Sequence, residues 1–211
     1  GAVMGSSLSS ILETTGYEVS REYYINDAGN QMDLFIRSLL ARYREIQGKP
    51  AELPEGGYQG AYMTEIASDL LREKGDQIPN SVDDGAVKEI EEWSLHRMLS
   101  DIEKDLKGIG VVFDTWFSEK SLFDSGIYGK TMDSLRCKGY LAEKDGATWF
   151  MSSELGEDKD NVVVRSDGSP TYFASDAAYH FNKFWIRGYD KVINIWGADH
   201  HGYVPRMNSV L

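Results

Sequence analysis

The chain has few of the residues that mark several classes of protein. Cys137 is the single cysteine among 211 residues, so no disulfide framework can form within the chain, as is usual in a reducing cytoplasm. No apolar run approaches the roughly 20 residues of a membrane span. The first residues also lack the basic and apolar regions of a signal peptide. We therefore expect a cytoplasmic chain with no membrane partner.

Basic residues are also scarce. The 22 lysines and arginines are outnumbered by 34 aspartates and glutamates, which gives a formal net charge of −12. Such a surface repels the phosphates of nucleic acids and membranes. Any contact with RNA must therefore be local, or be made by parts outside these residues. The same acidity suits a site that binds a cation.

The sequence offers little for a metal site. Asp199, His200 and His201 are consecutive, and adjacent side chains diverge, so the two histidines rarely bind one ion. The other two histidines, His96 and His180, are expected to lie within helices. P-loop, Gly-x-Gly-x-x-Gly and nucleophile-elbow motifs are absent too. We predict no protein-held metal and no catalytic side chain.

The chain does contain a mixture of helical and strand patterns. This mixture predicts an α/β fold with an open, mostly parallel sheet and an insertion, in which ligands bind at the carboxyl ends of the strands. Two predicted strands have informative ends, one at Glu119 and one at the Gly-Ala-Asp-His-His loop of residues 197–201. Helices are predicted at residues 5–16, 27–43, 61–75, 83–110, 131–139 and 175–188, and strands at 17–27, 110–119, 146–153, 160–168 and 189–197.

Tyr172 and Asp176 lie four residues apart near the predicted start of a helix, and two interpretations fit them. Asp176 can lie in a first turn capped by Ser175 and complement the helix dipole. Alternatively, Asp176 and Tyr172 can join Glu119 to hold a cation, because a buried cation without carboxylate partners is very costly. Periodicity alone does not decide between the two.

Several stretches together resemble one enzyme family. They are GAVMGSSLSSILETTGYEVSREYYINDAGNQMDLFIRSLLARY, YQGAYMTEIA, FDTWFSEKSLF, RSDGSPTYFASDAAYH and WGADHHGYVPRM, in this order. The combination resembles the bacterial-type arginyl-tRNA synthetases, which are class I aminoacyl-tRNA synthetases. The resemblance implies a Rossmann-type nucleotide-binding catalytic core, interrupted by insertions and truncated at both ends. Its expected segments are a first Rossmann segment (about 1–47), a helical insertion (about 48–90), a helix and strand of the core (about 91–119), a second insertion (about 120–169) and a second Rossmann segment (about 170–211).

The resemblance also implies a reaction and its partners. L-arginine would be activated with ATP, accompanied by Mg²⁺, to arginyl-adenylate, and the arginyl group would then pass to the 3′ end of tRNA(Arg). No covalent enzyme intermediate is involved. Arginine binding is implied for Glu119, Tyr172, Asp176 and His200, and nucleotide binding for Gly197, Asp199 and His200.

Some family features are missing from this chain. The His-x-Gly-His and Lys-Met-Ser-Lys-like signatures and the terminal tRNA-binding domains are absent. We therefore expect these 211 residues to be inactive alone, with most tRNA contacts made by domains outside them. A non-catalytic synthetase-like binding module and a class I synthetase for another amino acid remain as alternatives.

Overall fold

The computed structural model describes residues 1–75, 78 and 84–211. The chain forms two compact units, one discontinuous (Gly1–Asn26 with Phe113–Leu211) and one continuous (Asp27–Val112). The helices are α1 (Ala2–Thr14), α2 (Asn30–Ile46), α3 (Ala61–Lys74), α4 (Asp84–Gly108), α5 (Lys120–Asp124), α6 (Ile127–Cys137), α7 (Tyr172–Phe181) and α8 (Val204–Val210). The strands are β1 (Glu22–Ile25), β2 (Thr115–Ser118), β3 (Leu141–Lys144), β4 (Ala147–Phe150) and β5 (Asn161–Val164).

The continuous unit is a helical cluster of α2, α3 and α4. Apolar side chains recur along α2 at steps of three and four residues, and they form one buried face with those of α3 and α4. Leu39, Met63 and Leu70 have no exposed surface. The predicted amphipathic helix at residues 27–43 is thereby confirmed. The predicted start of the next long helix, at Asp83, lies outside the described residues.

The discontinuous unit contains two small sheets. In the first, β1 and β2 are parallel, with Glu22 opposite Thr115 and Ile25 opposite Ser118. In the second, β3, β4 and β5 are antiparallel in chain order. Asp145 and Gly146 both have positive φ at the β3–β4 turn, as a tight hairpin requires. A core of buried side chains lies between this second sheet and the helices: Met132, Phe150, Val163, Phe173, Ala174 and Met207.

The predicted strand at residues 189–197 is wrong. A strand needs a neighbour to pair its backbone N–H and C=O groups, and no described residue forms such a ladder with this segment. Ile193 and Ile195 remain 47% and 37% exposed. Parallel pairing among the described residues is limited to β1 and β2, and the other three strands are antiparallel, so the predicted mostly parallel sheet is wrong for this part of the chain. No helix in the described ranges is both long and apolar enough to cross a bilayer.

Candidate active site

Glu119 lies at the carboxyl edge of the parallel strand pair, as the sequence predicts. It follows the last residue of β2, and its backbone N–H donates a hydrogen bond of 3.0 Å to the carbonyl of Ile25, the last residue of β1. Glu119 is only 4% exposed, so its side chain is buried. The end of β2 thus carries a buried carboxylate where ligands bind in parallel sheets.

Tyr24 lies beside this carboxylate. Its hydroxyl donates a hydrogen bond to Glu119, and its ring contacts Tyr179 with centroids 4.8 Å apart. Burial raises the pKa of Tyr24, and the negative charges of Glu119 and Asp176 raise it further. Both carboxylates therefore act on one neutral phenol. The structure thus brings Glu119 and Asp176 into one neighbourhood.

Asp176 is partly buried and receives a hydrogen bond from a second tyrosine. The hydroxyl of Tyr203 donates to Asp176 Oδ2 over 2.7 Å. Burial raises the pKa of the Asp176 carboxyl, and the Tyr203 hydrogen bond together with the charges of Lys183 and His200 partly offsets that rise. A carboxylate that is costly to ionise here is one that a cationic ligand would stabilise.

The capping interpretation of Asp176 is wrong. Helix α7 begins at Tyr172, three residues earlier than predicted, and Thr171 is its N-cap, with its side chain accepting a hydrogen bond from the N–H of Ala174. Ser175, the predicted cap, is buried within the helix. Asp176 therefore lies in the second turn, where its effect on the helix dipole is weak. Its partial burial needs another reason.

Tyr172 occupies the first position of α7, on the same face of the helix as Asp176 four residues later. It is 56% exposed. Within the described part of the chain, its hydroxyl has no hydrogen-bond partner. The structure thus places Tyr172 on the same helix face as Asp176, with no hydrogen bond between the two described side chains.

Gly197, Asp199 and His200 form a compact polar turn at the start of a 3₁₀ helix, Ala198–Tyr203. The N–H of His200 donates to the carbonyl of Gly197 over 3.0 Å, and His200 Nδ1 lies 3.2 Å from Asp199 Oδ1. The His200 ring packs against Trp196 with centroids 5.9 Å apart. Since Tyr203, the last residue of the same 3₁₀ helix, donates a hydrogen bond to Asp176, this turn lies near Asp176.

Across the described ranges, no three or more His, Cys, Asp and Glu side chains form a group that could hold a metal ion. A magnesium ion that keeps most of its waters and binds mainly through phosphate oxygens needs no such group. The exposed carboxylate of Asp199 is the side chain of the turn that could contact it.

Comparison with known proteins decides the family. The family model described as "tRNA synthetases class I (R), catalytic domain" matches residues 1–210. The chain belongs to this family. Among related class I tRNA synthetases, the arginine–tRNA ligases of Dehalococcoides mccartyi and Carboxydothermus hydrogenoformans are 53% and 50% identical over all 211 residues. The chain spans 38% of the length of each.

Solved structures agree with this class I synthetase assignment. A crystal structure described as an arginyl-tRNA synthetase from Campylobacter jejuni is 37% identical and matches with a TM-score of 0.89, covering the whole of this chain and 46% of that one. The arginyl-tRNA synthetase of Plasmodium falciparum matches with a TM-score of 0.69 at 15% identity, covering 99% of this chain and 35% of that one. The second likeness shows the fold alone.

The sequence did not indicate two residues of this candidate site. Tyr24 and Tyr203 contact the two carboxylates, but a tyrosine in a strand and a tyrosine at the end of a 3₁₀ helix carry no periodic signal of a ligand site. A usable signal did exist for Tyr24. It is the penultimate residue of β1, so a parallel pairing with β2 puts it near Glu119.

Proposed function

We propose that the full-length protein carrying this chain is an arginine–tRNA ligase. It would activate L-arginine with ATP and transfer the arginyl group to the 3′ end of tRNA(Arg). One observation carries the proposal beyond family membership. Two carboxylates, Glu119 at the end of β2 and Asp176 in α7, act on the same phenol of Tyr24 in the discontinuous unit.

The carboxylate pair suits the two cationic ends of arginine. A guanidinium has five N–H donors in a planar fork that matches carboxylate oxygens, and the α-ammonium adds three more. Charge-assisted hydrogen bonds to Glu119 and Asp176 would compensate for taking these charges out of water. The exposed hydroxyl of Tyr172 and the ring of His200 complete the proposed arginine site. Arginine would in turn stabilise the ionised form of Asp176.

The reaction would then depend on position rather than on a reacting side chain. A carboxylate oxygen of arginine attacks the α-phosphorus of ATP in line, and the bond from that phosphorus to pyrophosphate breaks. A ribose hydroxyl of the terminal tRNA adenosine next attacks the arginyl carbonyl, and AMP leaves. Fixing both reactants in the productive geometry supplies a large part of such an acceleration. No residue of this chain is assigned as a catalytic residue.

The nucleotide is proposed to bind at the turn of Gly197, Asp199 and His200. Gly197 lets a ligand approach the backbone closely, and Mg²⁺ would arrive with the phosphates of ATP. The tRNA is proposed to contact mainly other domains of the full-length protein, since this chain carries a net charge of −12. The single cysteine supports a cytoplasmic location. The division into five segments and the inactivity of these 211 residues alone stay predictions.

The proposal is tested by ligand-dependent melting of the full-length protein. Arginine is expected to raise the melting temperature, whereas lysine and glutamine leave it unchanged, because neither presents a guanidinium fork. Arginine-dependent exchange of pyrophosphate into ATP, measured with tRNA present, should accompany the shift. Stabilisation by lysine or glutamine would instead indicate a class I synthetase for another amino acid. Arginine binding without exchange would indicate a non-catalytic binding module.

A glycine-to-alanine change tests the nucleotide turn. Gly197 has φ −67°, so alanine adopts its backbone without strain, but an added Cβ would lie 2.3 Å from Asp199 Oδ1. The 80% exposed side chain of Asp199 can rotate away at small cost. Gly197→Ala should therefore leave stability within about 0.5 kcal/mol and weaken ATP binding by roughly three- to tenfold, or about 0.7–1.4 kcal/mol.

Gly202→Ala is the matched control, because Gly202 lies in the same 3₁₀ helix and an added Cβ would meet nothing within 4 Å. Calorimetric titration with ATP gives the affinities, and thermal melting gives the stabilities. Equal ATP affinities in the two variants would show that the nucleotide does not bind at this turn.

A further inference from the structure

The segment of residues 189–197 leads into the Gly197 turn without any strand pairing to described residues. A polar side chain anchors it instead. Asn194 lies between two buried side chains of the neighbouring helical region, His180 at the end of α7 and Lys183 in the π-helical turn Asn182–Ile186. His180 is 2% exposed and Lys183 is 5% exposed. An exposed segment is thus tied to two buried polar groups.

The hydrogen-bond directions in this cluster are fixed by chemistry. His180 Nδ1 lies 2.8 Å from the backbone carbonyl oxygen of Asp176, which can only accept, so Nδ1 carries the proton. Burial and the nearby charge of Lys183 lower the pKa of His180 to about 4, so the ring is neutral near pH 7. Its Nε2 is therefore an acceptor, and the Asn194 amide donates to it over 2.9 Å.

The other end of the Asn194 amide is equally constrained. Its Oδ1 accepts a hydrogen bond of 3.1 Å from the Lys183 ammonium, which also lies 3.9 Å from the centre of the Tyr179 ring. The pKa of Lys183 falls to about 8, mainly through burial, with Arg187 lowering it further and Glu22 and Asp176 raising it. Asn194 therefore completes a chain of bonds from Lys183 to the backbone of Asp176.

We propose that Asn194 is a positioning residue that fixes the nucleotide-binding turn relative to the helix carrying Asp176. The inference rests on the proposed function, because it needs ATP to bind at Gly197, Asp199 and His200. Without the Asn194 bonds, the segment before the turn loses a polar anchor. Asp176 keeps its place in α7, and Tyr203 still ties the far end of the 3₁₀ helix to it, so only the Gly197 end of the turn is released. Loss of Asn194 should therefore affect ATP binding more than arginine binding.

The first experiment measures the protonation state of His180 in this cluster. Asn194→Asp keeps an acceptor for Lys183 but offers no donor to His180, so the ring should take up a proton and donate instead. Nitrogen NMR of His180 in the full-length protein should show a neutral ring with its proton on Nδ1 from pH 5 to pH 8. In Asn194→Asp, the pKa of His180 should rise into that range. Asn208→Asp, the same change on the exposed side of α8, should leave His180 unaltered.

The second experiment measures the consequence. In Asn194→Ala, the Kd for ATP should rise about tenfold, which corresponds to about 1.4 kcal/mol, while the Kd for arginine changes less than threefold. Retained arginine binding also shows that the variant is folded. Equal changes in both constants, or none, would overturn the positioning role.

The two experiments separate the inference from the proposed function. A proton on Nε2 of wild-type His180, or an unchanged His180 in Asn194→Asp, overturns the hydrogen-bond chain whatever the enzyme does. Failure of the wild-type protein to activate arginine, with the His180 results as expected, overturns the proposed function instead.

Discussion

Replacing Asp176 with asparagine is expected to weaken arginine binding to the full-length protein at least about 30-fold, since losing one partner of a buried charge pair costs roughly 2–5 kcal/mol. The substrate-free protein should melt at the same temperature or higher. These opposite effects distinguish a ligand-binding carboxylate from one that stabilises the fold.

The stability prediction follows from the sign of the pKa shift. Burial raises the pKa of Asp176 above its ordinary value, so the folded protein binds a proton more tightly than the unfolded chain. That difference lowers stability as the pH rises from the unfolded pKa through the folded one. Asparagine carries no charge and can still accept from Tyr203, so it removes this penalty. By the same reasoning, arginine affinity of the wild-type protein should fall as the pH drops through the pKa of Asp176.

The measurements are calorimetric titration with arginine and thermal melting without it. Asp133→Asn is the matched control, since Asp133 lies in α6 of the same unit with a side chain that is 75% exposed and pairs with Arg136 at the surface. It should alter neither quantity appreciably. If Asp176→Asn lowers the melting temperature and leaves arginine affinity intact, Asp176 is structural and the proposed site is wrong.

Replacing Glu22 with glutamine is expected to destabilise the discontinuous unit by about 2–4 kcal/mol, somewhat below the 3–5 kcal/mol typical of fully buried pairs. Glu22 in β1 accepts two hydrogen bonds from the Arg187 guanidinium, one of them 2.9 Å long, and another from the hydroxyl of Tyr179. The side chains of Arg187 and Glu22 are 24% and 12% exposed. Glutamine keeps the shape but leaves the guanidinium without its counter-charge.

The loss of this counter-charge is expected to be severe because Arg187 already lacks, among the described residues, a hydrogen-bond partner for one of its buried N–H groups. Its Nε is buried without a hydrogen-bond partner in the described structure, and the guanidinium lies 5.6 Å from the centre of the Phe117 ring. Hydrogen exchange should therefore accelerate in peptides that cover β1 and α7. Glu13→Gln, which breaks the more exposed pair with Arg21, should cost below about 1 kcal/mol. Similar exchange in the two variants would contradict the prediction.

The predictable parts of this fold are those set by local patterns. The α2 face was readable because its apolar residues follow the helical period and are buried. Glu119 was readable because an apolar strand pattern stops there. The start of α7 could not be predicted, because Thr171 and Ser175 are both residue types that cap helices well. Thr171 Oγ1 donates to the carbonyl of Val162 over 2.8 Å, a tertiary contact that fixes Thr171 at the helix start.

The strand prediction for residues 189–197 was wrong for a different reason. Alternating apolar residues predict an extended backbone, but a strand also requires a partner, and no local pattern specifies one. The side-chain bonds of Asn194 to His180 and Lys183 join residues 11 to 14 positions apart, through polar groups that carry no periodicity. The contacts of Tyr24 and Tyr203 with the two carboxylates could not be predicted either, because their partners are distant in sequence.

The chain order of the two units has a consequence for folding. The continuous unit needs only Asp27–Val112 to form its core, whereas β1 must wait for β2 before the parallel pair can close. Contacts between distant residues form slowly because they require the closure of a long loop. During synthesis from the N-terminus, residues 27–112 can therefore collapse first, and the proposed arginine site would be assembled late, once the chain returns to form β2 and α7.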